Sequence, residues 1–395
     1  METVKLGEVA QIVDCEHKTA PITPGGRFFA VGTPAMRGNF IDYSQARPIS
    51  AETFQDWTKR LRPKVGDILF AREAPVGPVV QIPPAENIAP GQRTVLIRPG
   101  ARIDGRYLFY LLASRQIQDH IKAIAAGSTV PHLNVSDIRR LCLGSLPRLI
   151  TQYSIGEVLG SLDDKIAANN RVVSISNELV RARYSALPVS ACSLRDIADL
   201  VRSSTPPHGF DPQKRLVGLE HFDSESLWLA RSSTPDVATS AKNEFHAGDT
   251  LFGKLRPYFH KVAIAPFEGY CSTDVLVLRA KEQRLGPLVA AAANSDAVVQ
   301  HAVNSSNGTR MPRAKWGDIE TCQVPDPGDR RTAEFIRIAD TLIQDATARL
   351  EANATLANTR DELLPLLMNG KISVREAEQE ATSAGADIPS EEIGA

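Results

Sequence analysis

The sequence predicts an α+β protein in which two similar domains of mixed helices and strands are each followed by a long helix. Three short landmarks recur in the same order along the chain: residues 6–10 and 194–198, residues 66–70 and 248–252, and residues 127–131 and 308–312. Their offsets, 194 − 6 = 188, 248 − 66 = 182 and 308 − 127 = 181, are nearly constant. A repeat of this length is too long for a solenoid unit, so it indicates two copies of a whole domain.

Each copy begins with short apolar runs that Gly and Pro separate, which is the pattern of strands bounded by turns. Examples are residues 68–71, 79–82 and 94–97 in the first copy, and residues 262–264 and 275–278 in the second. We therefore expect one mixed domain over residues 1–150 and a second over residues 189–328.

Two long helices are expected at residues 151–188 and 329–372, because apolar residues recur there at alternating spacings of four and three. A helix of about 33 residues is roughly 50 Å long and cannot bury such a stripe alone, so the two helices are expected to pack against each other as an antiparallel coiled coil. The stripe residues expected to pack between the helices are Ile155, Leu159, Leu162, Ile166, Val173, Phe335, Leu342, Leu356 and Leu363.

Polar residues near these stripes leave alternatives open. Asn169 and Asn353 on the stripes either fix the register of the helix pair or lie on the surface of a stripe placed one position wrong. Asp163 and Asp164 are expected on a solvated face. Residues 373–395 are predicted to be an acidic mobile tail, because residues 371–395 carry 2 cations and 6 anions, a net charge of −4.

Composition excludes several classes of protein. With 395 residues, of which 43% are hydrophobic, the chain can build two or three cores. No run is long and apolar enough for a membrane span, and the N-terminus does not resemble a signal peptide. The five scattered cysteines form neither a disulfide framework nor a metal site, which fits a cytoplasmic protein without a bound metal.

The motifs of common catalytic sites are absent from the sequence. It contains no phosphate-binding GxxxxGK[ST], no GxGxxG after a strand, no HExxH and no GxSxG. It also lacks the Asn/Asp-Pro-Pro-Tyr motif that would hold a flipped base for methylation. We therefore predict a protein that is not an enzyme and binds no cofactor itself.

Charge and loop chemistry suggest a nucleic-acid partner. Residues 1–150 carry 19 cations and 13 anions, a net of +6, which either marks a binding surface or is ordinary scatter. The second copy has a turn with Lys254, Arg256, Tyr258 and Lys261, where Arg suits guanine and Lys suits phosphate. Its counterpart in the first copy keeps only Arg72. The alternative is a solvated hairpin tip.

The Gly…Pro loops are the second candidate surface, since small polar residues and amides there can grip phosphates. The first loop contributes Ser128, Thr129 and His132. The second loop adds the cations Arg310, Arg313 and Lys315. The alternative is a connector whose Gly and Pro only shape a turn. The recurrence of the loop with different exposed residues favours binding, because two targets would require one frame with two sets of side chains.

The chain resembles the specificity subunits of type I restriction–modification systems over about residues 3–373. The similarity is carried by the opening residues 4–10, by residues 248–258, by the two Gly…Pro loops, by residues 155–166 and by the closing residues 361–372. Each motif is short, but their order and duplication, together with the two long helices, are specific for that family.

The resemblance implies two target recognition domains that each read one half of a split double-stranded DNA sequence. It implies that the antiparallel helices act as a spacer and dock two modification (methyltransferase) subunits, through which restriction subunits join. S-adenosylmethionine and ATP would be bound by those partners. The competing hypotheses are a coiled-coil scaffold that reads no DNA and a DNA methyltransferase or nuclease with an unrecognised site.

Overall fold

The computed structural model describes residues 3–37, 40–125, 131–306 and 311–388. They divide into two compact units. The first unit comprises residues 1–166 together with residues 355–395, and the second comprises residues 167–354. Each unit therefore contains one of the two sequence copies and a segment of both long helices.

The first unit combines short strands with five helices before the first long helix. Its strands are β1 (Val4–Lys5), β2 (Ala10–Asp14), β3 (Phe28–Val31), β4 (Met36–Arg37), β5 (Phe40–Ile41), β6 (Arg47–Ile49), β7 (Ile68–Arg72), β8 (Val76–Gln81), β9 (Ile88–Pro90), β10 (Thr94–Pro99) and β11 (Cys142–Gly144). Its helices are α1 (Leu6–Val9), α2 (Ala51–Thr58), α3 (Gly105–Ala113), α4 (Arg115–Ala125), α5 (Val135–Arg140) and the start of α6 (Leu149–Ser185).

The second unit follows the same plan. Its strands are β12 (Ala198–Val201), β13 (Ser204–Thr205), β14 (Arg215–Val217), β15 (Lys242–Phe245), β16 (Thr250–Gly253), β17 (Val262–Ile264), β18 (Gly269–Cys271) and β19 (Val275–Ala280). Its helices are α7 (Leu194–Ile197), α8 (Gly286–Ala293), α9 (Asp296–Ser305), α10 (Trp316–Ile319) and most of α11 (Arg330–Met368). A last helix, α12 (Val374–Ser383), belongs to the first unit.

The central sheet has the same topology in both units. Four antiparallel strands lie in the order β2-β10-β7-β8 in the first unit and β12-β19-β16-β17 in the second. A parallel strand pair also recurs, as β3 with β9 and as β14 with β18. Apolar side chains cover both faces of each central sheet, which explains why these strands read as continuous apolar runs.

One repeated landmark is explained by a turn and a buried ion pair. Gly66 and Gly248 have φ angles of +83° and +88°, a left-handed conformation that favours glycine. The following residues, Asp67 and Asp249, are each 3% exposed. Their carboxylates accept hydrogen bonds from guanidinium groups on the neighbouring strand, with shortest distances of 2.7 Å to Arg98 and to Arg279. The Gly-Asp pair thus ties the central strands together in both units.

The two long helices pack in an antiparallel manner within each unit, which confirms the predicted fold class. In the second unit Asn169 contacts Asn353, whereas Tyr184, further along α6, contacts Phe335, which lies earlier on α11. In the first unit Asp163 pairs with Arg360. The stripe positions are buried except for half-buried Leu342, and they lie in the cores of the two units: Ile155, Leu159, Leu162, Ile166, Leu356 and Leu363 in the first, and Val173, Phe335 and Leu342 in the second.

Polar residues inside the helix pair are bonded to one another. Asn169 is 4% exposed, and its amide nitrogen donates to the side-chain oxygen of Asn353 at 2.9 Å, while Arg349 donates to the Asn169 side-chain oxygen at 3.0 Å. Asn169 is thus buried and Asn353 half-buried inside the helix pair, so the alternative that both lie on the surface is wrong. The stripe on α11 can therefore contain polar residues, because they contact polar residues on α6.

The expected solvated face at Asp163 is wrong. Asp163 is 9% exposed and accepts a 2.6 Å hydrogen bond from the hydroxyl of Tyr110, and it forms an ion pair with Arg360. Burial, followed by the neighbouring carboxylate, raises the pKa of Tyr110 well above its usual value. Asp164 does lie on the exposed side, where it pairs with Arg106.

The predicted mobile tail from residue 373 is also wrong for the described residues up to 388. The backbone and hydroxyl of Ser373 bond to the Glu376 carboxylate, which caps the start of α12. Ala377 and Ala381 on one face of α12 are fully buried in the core of the first unit. Because the buried face consists of small alanines between acidic residues, its composition resembled that of a disordered segment.

Candidate nucleic-acid interface

The two candidate loops of the second unit lie side by side. The turn after β16 pairs with the segment after the Gly…Pro loop through a bridge between Leu255 and Arg313. The backbone nitrogen of Arg256 donates to the carbonyl of Pro312 at 2.8 Å, and that of Ala314 donates to the carbonyl of Lys254 at 2.9 Å. Side chains that are about 60 residues apart in sequence thus share one surface.

The first unit repeats this arrangement. Glu73, after β7, forms a bridge with His132, and the backbone nitrogen of Leu133 donates to the carbonyl of Arg72 at 2.9 Å. His132 is exposed. The predicted residues Ser128, Thr129 and Arg310 lie outside the described residues.

Arg256 is an exposed cation on the surface of the second unit. Its backbone has φ 52° and ψ 63°, in the left-handed region that costs a non-glycine residue energy. Its side chain is exposed and makes no hydrogen bond or ion pair with any described residue. Ala74 occupies the corresponding position in the first unit with φ 49°. The conformation therefore belongs to the shared frame, and only the second unit uses it to present an arginine.

Beside Arg256, Tyr258 is 53% exposed, and its ring packs on that of Phe259 with centroids 4.8 Å apart. Such a pair offers an aromatic face to a base or sugar. Lys261 is held differently, because its ammonium donates to the carbonyl of Leu219 at 2.7 Å. Lys254 is half-buried.

Two further predicted cations follow the second Gly…Pro loop. Arg313 forms a 3.0 Å ion pair with Asp274, and its side chain remains 47% exposed. Lys315 is exposed at the start of α10, where its backbone nitrogen donates to the carboxylate of Asp318 at 2.8 Å. In the first unit the residue corresponding to Lys315 is Asn134, whose backbone nitrogen bonds to Asp137 in the same way.

Arg72, the predicted binding residue of the first unit, has a side chain that is only 14% exposed. Its guanidinium donates to the carbonyl of Leu133 at 3.2 Å and lies 3.5 Å from the carboxylate of Asp14. These contacts hold the loop segment against the sheet. The structure brings Arg72 to the surface region but leaves little of its side chain available to a ligand.

Sequence reasoning missed three polar residues of the first unit that lie next to this region, namely Arg47, Gln92 and Arg93. All three are exposed. Arg93 contacts the carboxylate of Glu73 at 3.4 Å, so it adjoins the bridge to His132. These residues belong to no short motif. The only signal in the sequence was that arginine and glutamine side chains are suited to nucleic-acid contacts.

The described residues contain no group of three or more His, Cys, Asp or Glu side chains that could hold a metal ion. Burial raises the pKa of the Cys271 thiol to about 12, so this cysteine is a poor nucleophile at neutral pH. Among the described residues, no helix has the length and apolar character that crossing a membrane requires.

Comparisons with known proteins agree with one another. Residues 1–175 match the family described as type I restriction modification DNA specificity domain. The type I restriction enzyme EcoDI specificity subunit of Escherichia coli is 25% identical over 339 residues, which is 72% of this chain and 73% of that protein. The MjaIX specificity subunit of Methanocaldococcus jannaschii is 21% identical over 367 residues, 84% of this chain and 83% of that protein.

A solved structure shares the fold. The crystal structure of the type I restriction–modification S subunit from M. genitalium matches with a TM-score of 0.59 at 14% identity, over 93% of this chain and 95% of that chain. This similarity covers both copies of the repeat and both long helices.

Proposed function

We propose that the chain is a non-catalytic specificity subunit of a type I restriction–modification system and that it reads a split DNA target with its two domains, because its N-terminal part matches the family model and its relatives are such subunits. Each half of the target would be read by one domain. The observation that carries the proposal is one backbone frame with two different sets of exposed side chains, since two different half-sites require this arrangement.

In the second unit, the side chains available for readout are Arg256, Tyr258, Arg313 and Lys315. A guanidinium can contact guanine with two hydrogen bonds, whereas lysine suits a phosphate as a point charge. We assign base reading to Arg256, because its side chain is exposed and unpaired among the described residues, while Arg313 is partly neutralised by Asp274.

We further propose that two modification subunits dock on the long helices and that restriction subunits join through them. Apolar side chains on α6 support docking, since Ile150, Tyr153 and Ile175 are 58%, 47% and 54% exposed. Exposed apolar groups of this size favour burial against a partner. S-adenosylmethionine and ATP would then be bound by the partners, which agrees with the absence of their binding motifs from the sequence.

The proposal is tested by mapping methylated bases across the host genome with and without this gene. We expect a motif of two short blocks with a fixed gap, whose methylation disappears with the gene. The variant Arg256→Ala should relax recognition in one block by about tenfold and leave the other block unchanged, since one base contact is worth about 1–3 kcal/mol.

Arg284→Ala is the matched control, because it removes an exposed cation at the opposite end of β19 from Asp274. Equal relaxation of both blocks by Arg256→Ala would contradict the assignment of one half-site to each domain. A different outcome is that deletion of the gene leaves all methylation unchanged even though the chain is expressed and co-purifies with a modification subunit. That outcome would favour the scaffold hypothesis.

A further inference from the structure

The first unit contains a polar cavity of about 150 Å³ beside its predicted interface. Buried Ala20, Ala30 and Gly91 form part of its lining, and polar side chains surround them. The polar lining residues Thr19, Gln45, Arg47, Gln92 and Arg93 come from three separate segments of the chain.

The cavity is continuous with the interface region. The backbone nitrogen of Arg72 donates to the carbonyl of Arg93 at 3.0 Å, and the Arg93 guanidinium lies 3.4 Å from Glu73. Glu73 in turn forms the bridge with His132. Arg93 therefore belongs both to the cavity lining and to the region around His132.

Two of the side chains have donors that no described residue uses. The Arg47 guanidinium is exposed and makes no hydrogen bond or ion pair among the described residues. The hydroxyl of Thr19 donates to the side-chain oxygen of Gln92 at 3.3 Å, which fixes the amide and leaves its nitrogen without a described partner. An exposed guanidinium and an oriented amide are the groups that contact guanine and adenine edges with two hydrogen bonds.

The backbone that carries Gln92 and Arg93 is closely held. The nitrogen of Gly91 donates to the carbonyl of Val31 at 2.8 Å, and the hydroxyl of Thr94 donates to the carbonyl of Gly91 at 2.8 Å. A Cβ at Gly91 would lie 2.4 Å from the carbonyl carbon of Val31, so only glycine fits there. Readout groups on such a preorganised turn lose little freedom on binding.

The second unit has different residues at the corresponding positions. Ser233 pairs with Leu216 as Arg47 pairs with Ala30, so serine replaces Arg47. Ser272 bonds to Val217 as Gly91 bonds to Val31, so Thr273 and Asp274 replace Gln92 and Arg93. The amide and the two guanidinium groups are thus particular to the first unit, as expected of residues that specify one half-site.

We propose that Arg47 and Gln92 read base edges of one half of the DNA target. This inference rests on the proposed function and names the residues that carry it out in the first domain. It replaces Arg72 as the specificity residue of that domain, since the Arg72 side chain is 14% exposed and engaged with Asp14 and Leu133.

The test uses the chain assembled with its modification subunit and a library of DNA duplexes with both half-sites randomised. Methylation of the library is read by single-molecule sequencing for the wild type, Arg47→Ala, Arg47→Lys and Gln92→Ala. We expect Arg47→Ala and Gln92→Ala each to reduce discrimination about tenfold at a position of one block, which is the block that Arg256→Ala leaves unchanged.

Arg47→Lys separates base reading from phosphate contact, because lysine keeps the charge but lacks the guanidinium fork. We expect this variant to lose discrimination as well. If Arg47→Lys kept full discrimination and Arg47→Ala weakened methylation of all sequences alike, Arg47 would be a phosphate contact and the proposal for it would be overturned. Unchanged discrimination in Gln92→Ala would overturn the proposal for Gln92.

Arg102→Ala is the control, since Arg102 is also an exposed cation. It lies after the end of β10, whereas Arg93 lies before its start. It should leave both blocks unchanged. A wild-type complex that methylates no split motif would refute the proposed function itself. A split motif that none of the variants alters would refute only the inference about this cavity.

Discussion

The two units share a backbone frame but distribute their cations differently on it. In the first unit the exposed arginines near the interface are Arg47 and Arg93, at the cavity side, and the loop side carries Ala74 and His132. In the second unit the loop side has Arg256, Arg313 and Lys315, and the cavity side has Ser233, Thr273 and Asp274.

The features that the units have in common hold the frame together. Each has a left-handed glycine before a buried aspartate, and each aspartate binds the arginine of a neighbouring strand. The two aspartates are buried and cannot contact a ligand. The Gly-Asp motif therefore belongs to the scaffold, and we expect the residues that distinguish two targets at positions where the copies differ.

The same contrast applies to the helix pair. In the first unit the buried polar contact is an ion pair between Asp163 and Arg360, joined by Tyr110. In the second unit the helices meet through the amides of Asn169 and Asn353. A charged pair and a neutral pair respond differently to the loss of one partner, because an unpaired buried charge is the more costly.

The largest expected effect sharpens this contrast. Arg360→Ala removes the cation that pairs with the buried Asp163 carboxylate, so we expect a loss of about 3 kcal/mol in the free energy of unfolding. Urea denaturation measures the loss, and hydrogen exchange should place it in the first unit. Arg349→Ala, which removes a more exposed arginine in the second unit, should cost about 1 kcal/mol. Equal losses would refute the distinction.

A smaller effect is expected in the second unit. Asn353→Ala removes the acceptor of the buried Asn169 amide, and we expect a loss of about 1 kcal/mol, because the unmet group is neutral. The same denaturation experiment measures it. Asn170→Ala is the control, since Asn170 is exposed and loses only its surface bond to Asn353. A loss above that of Arg360→Ala would reverse the ranking of the two contacts.

The smallest effect concerns the interface. Asp274→Asn removes an anion beside Arg313, at the position where the first unit has Arg93. We expect affinity for DNA of any sequence to rise about threefold at low salt, with the gain reduced at high salt as screening increases. Fluorescence anisotropy with an unrelated duplex measures this change. Asp236→Asn, an exposed anion elsewhere in the unit, should produce less. Unchanged binding would place Asp274 away from the DNA.

Much of the fold could be predicted from the repeated motifs and the apolar stripes. The wrong predictions concern segments whose composition is compatible with more than one structure. The near-constant offsets and the apolar stripes led to two similar domains and a helix pair. Helix α12 was missed because alanine is compatible with both a buried helix face and a disordered tail. Asp163 was misplaced because a carboxylate in a helix is usually solvated, and only its partners Tyr110 and Arg360 explain its burial.

The candidate site was recognised only in part. Arg256 and Arg313 lie just after two repeated motifs, in segments of the second copy that are rich in cations. The sequence alone could therefore identify them as candidates. Arg47 and Gln92 are 45 residues apart (92 − 47 = 45) and belong to no motif. Their proximity arises from the parallel pairing of β3 with β9 and the antiparallel pairing of β3 with β6.

By itself, the sequence determined the duplication, the fold class and the family resemblance. These follow from the order, spacing and type of residues along the chain, which can be read without knowing how the chain folds. Tertiary structure alone decided which polar residues are buried, which loops share a surface and which arginine remains available to a ligand. The physical reason is that exposure and pairing depend on neighbours brought together by folding. Arg72 and Arg47 are the same residue type, and only their surroundings separate a structural arginine from an exposed one.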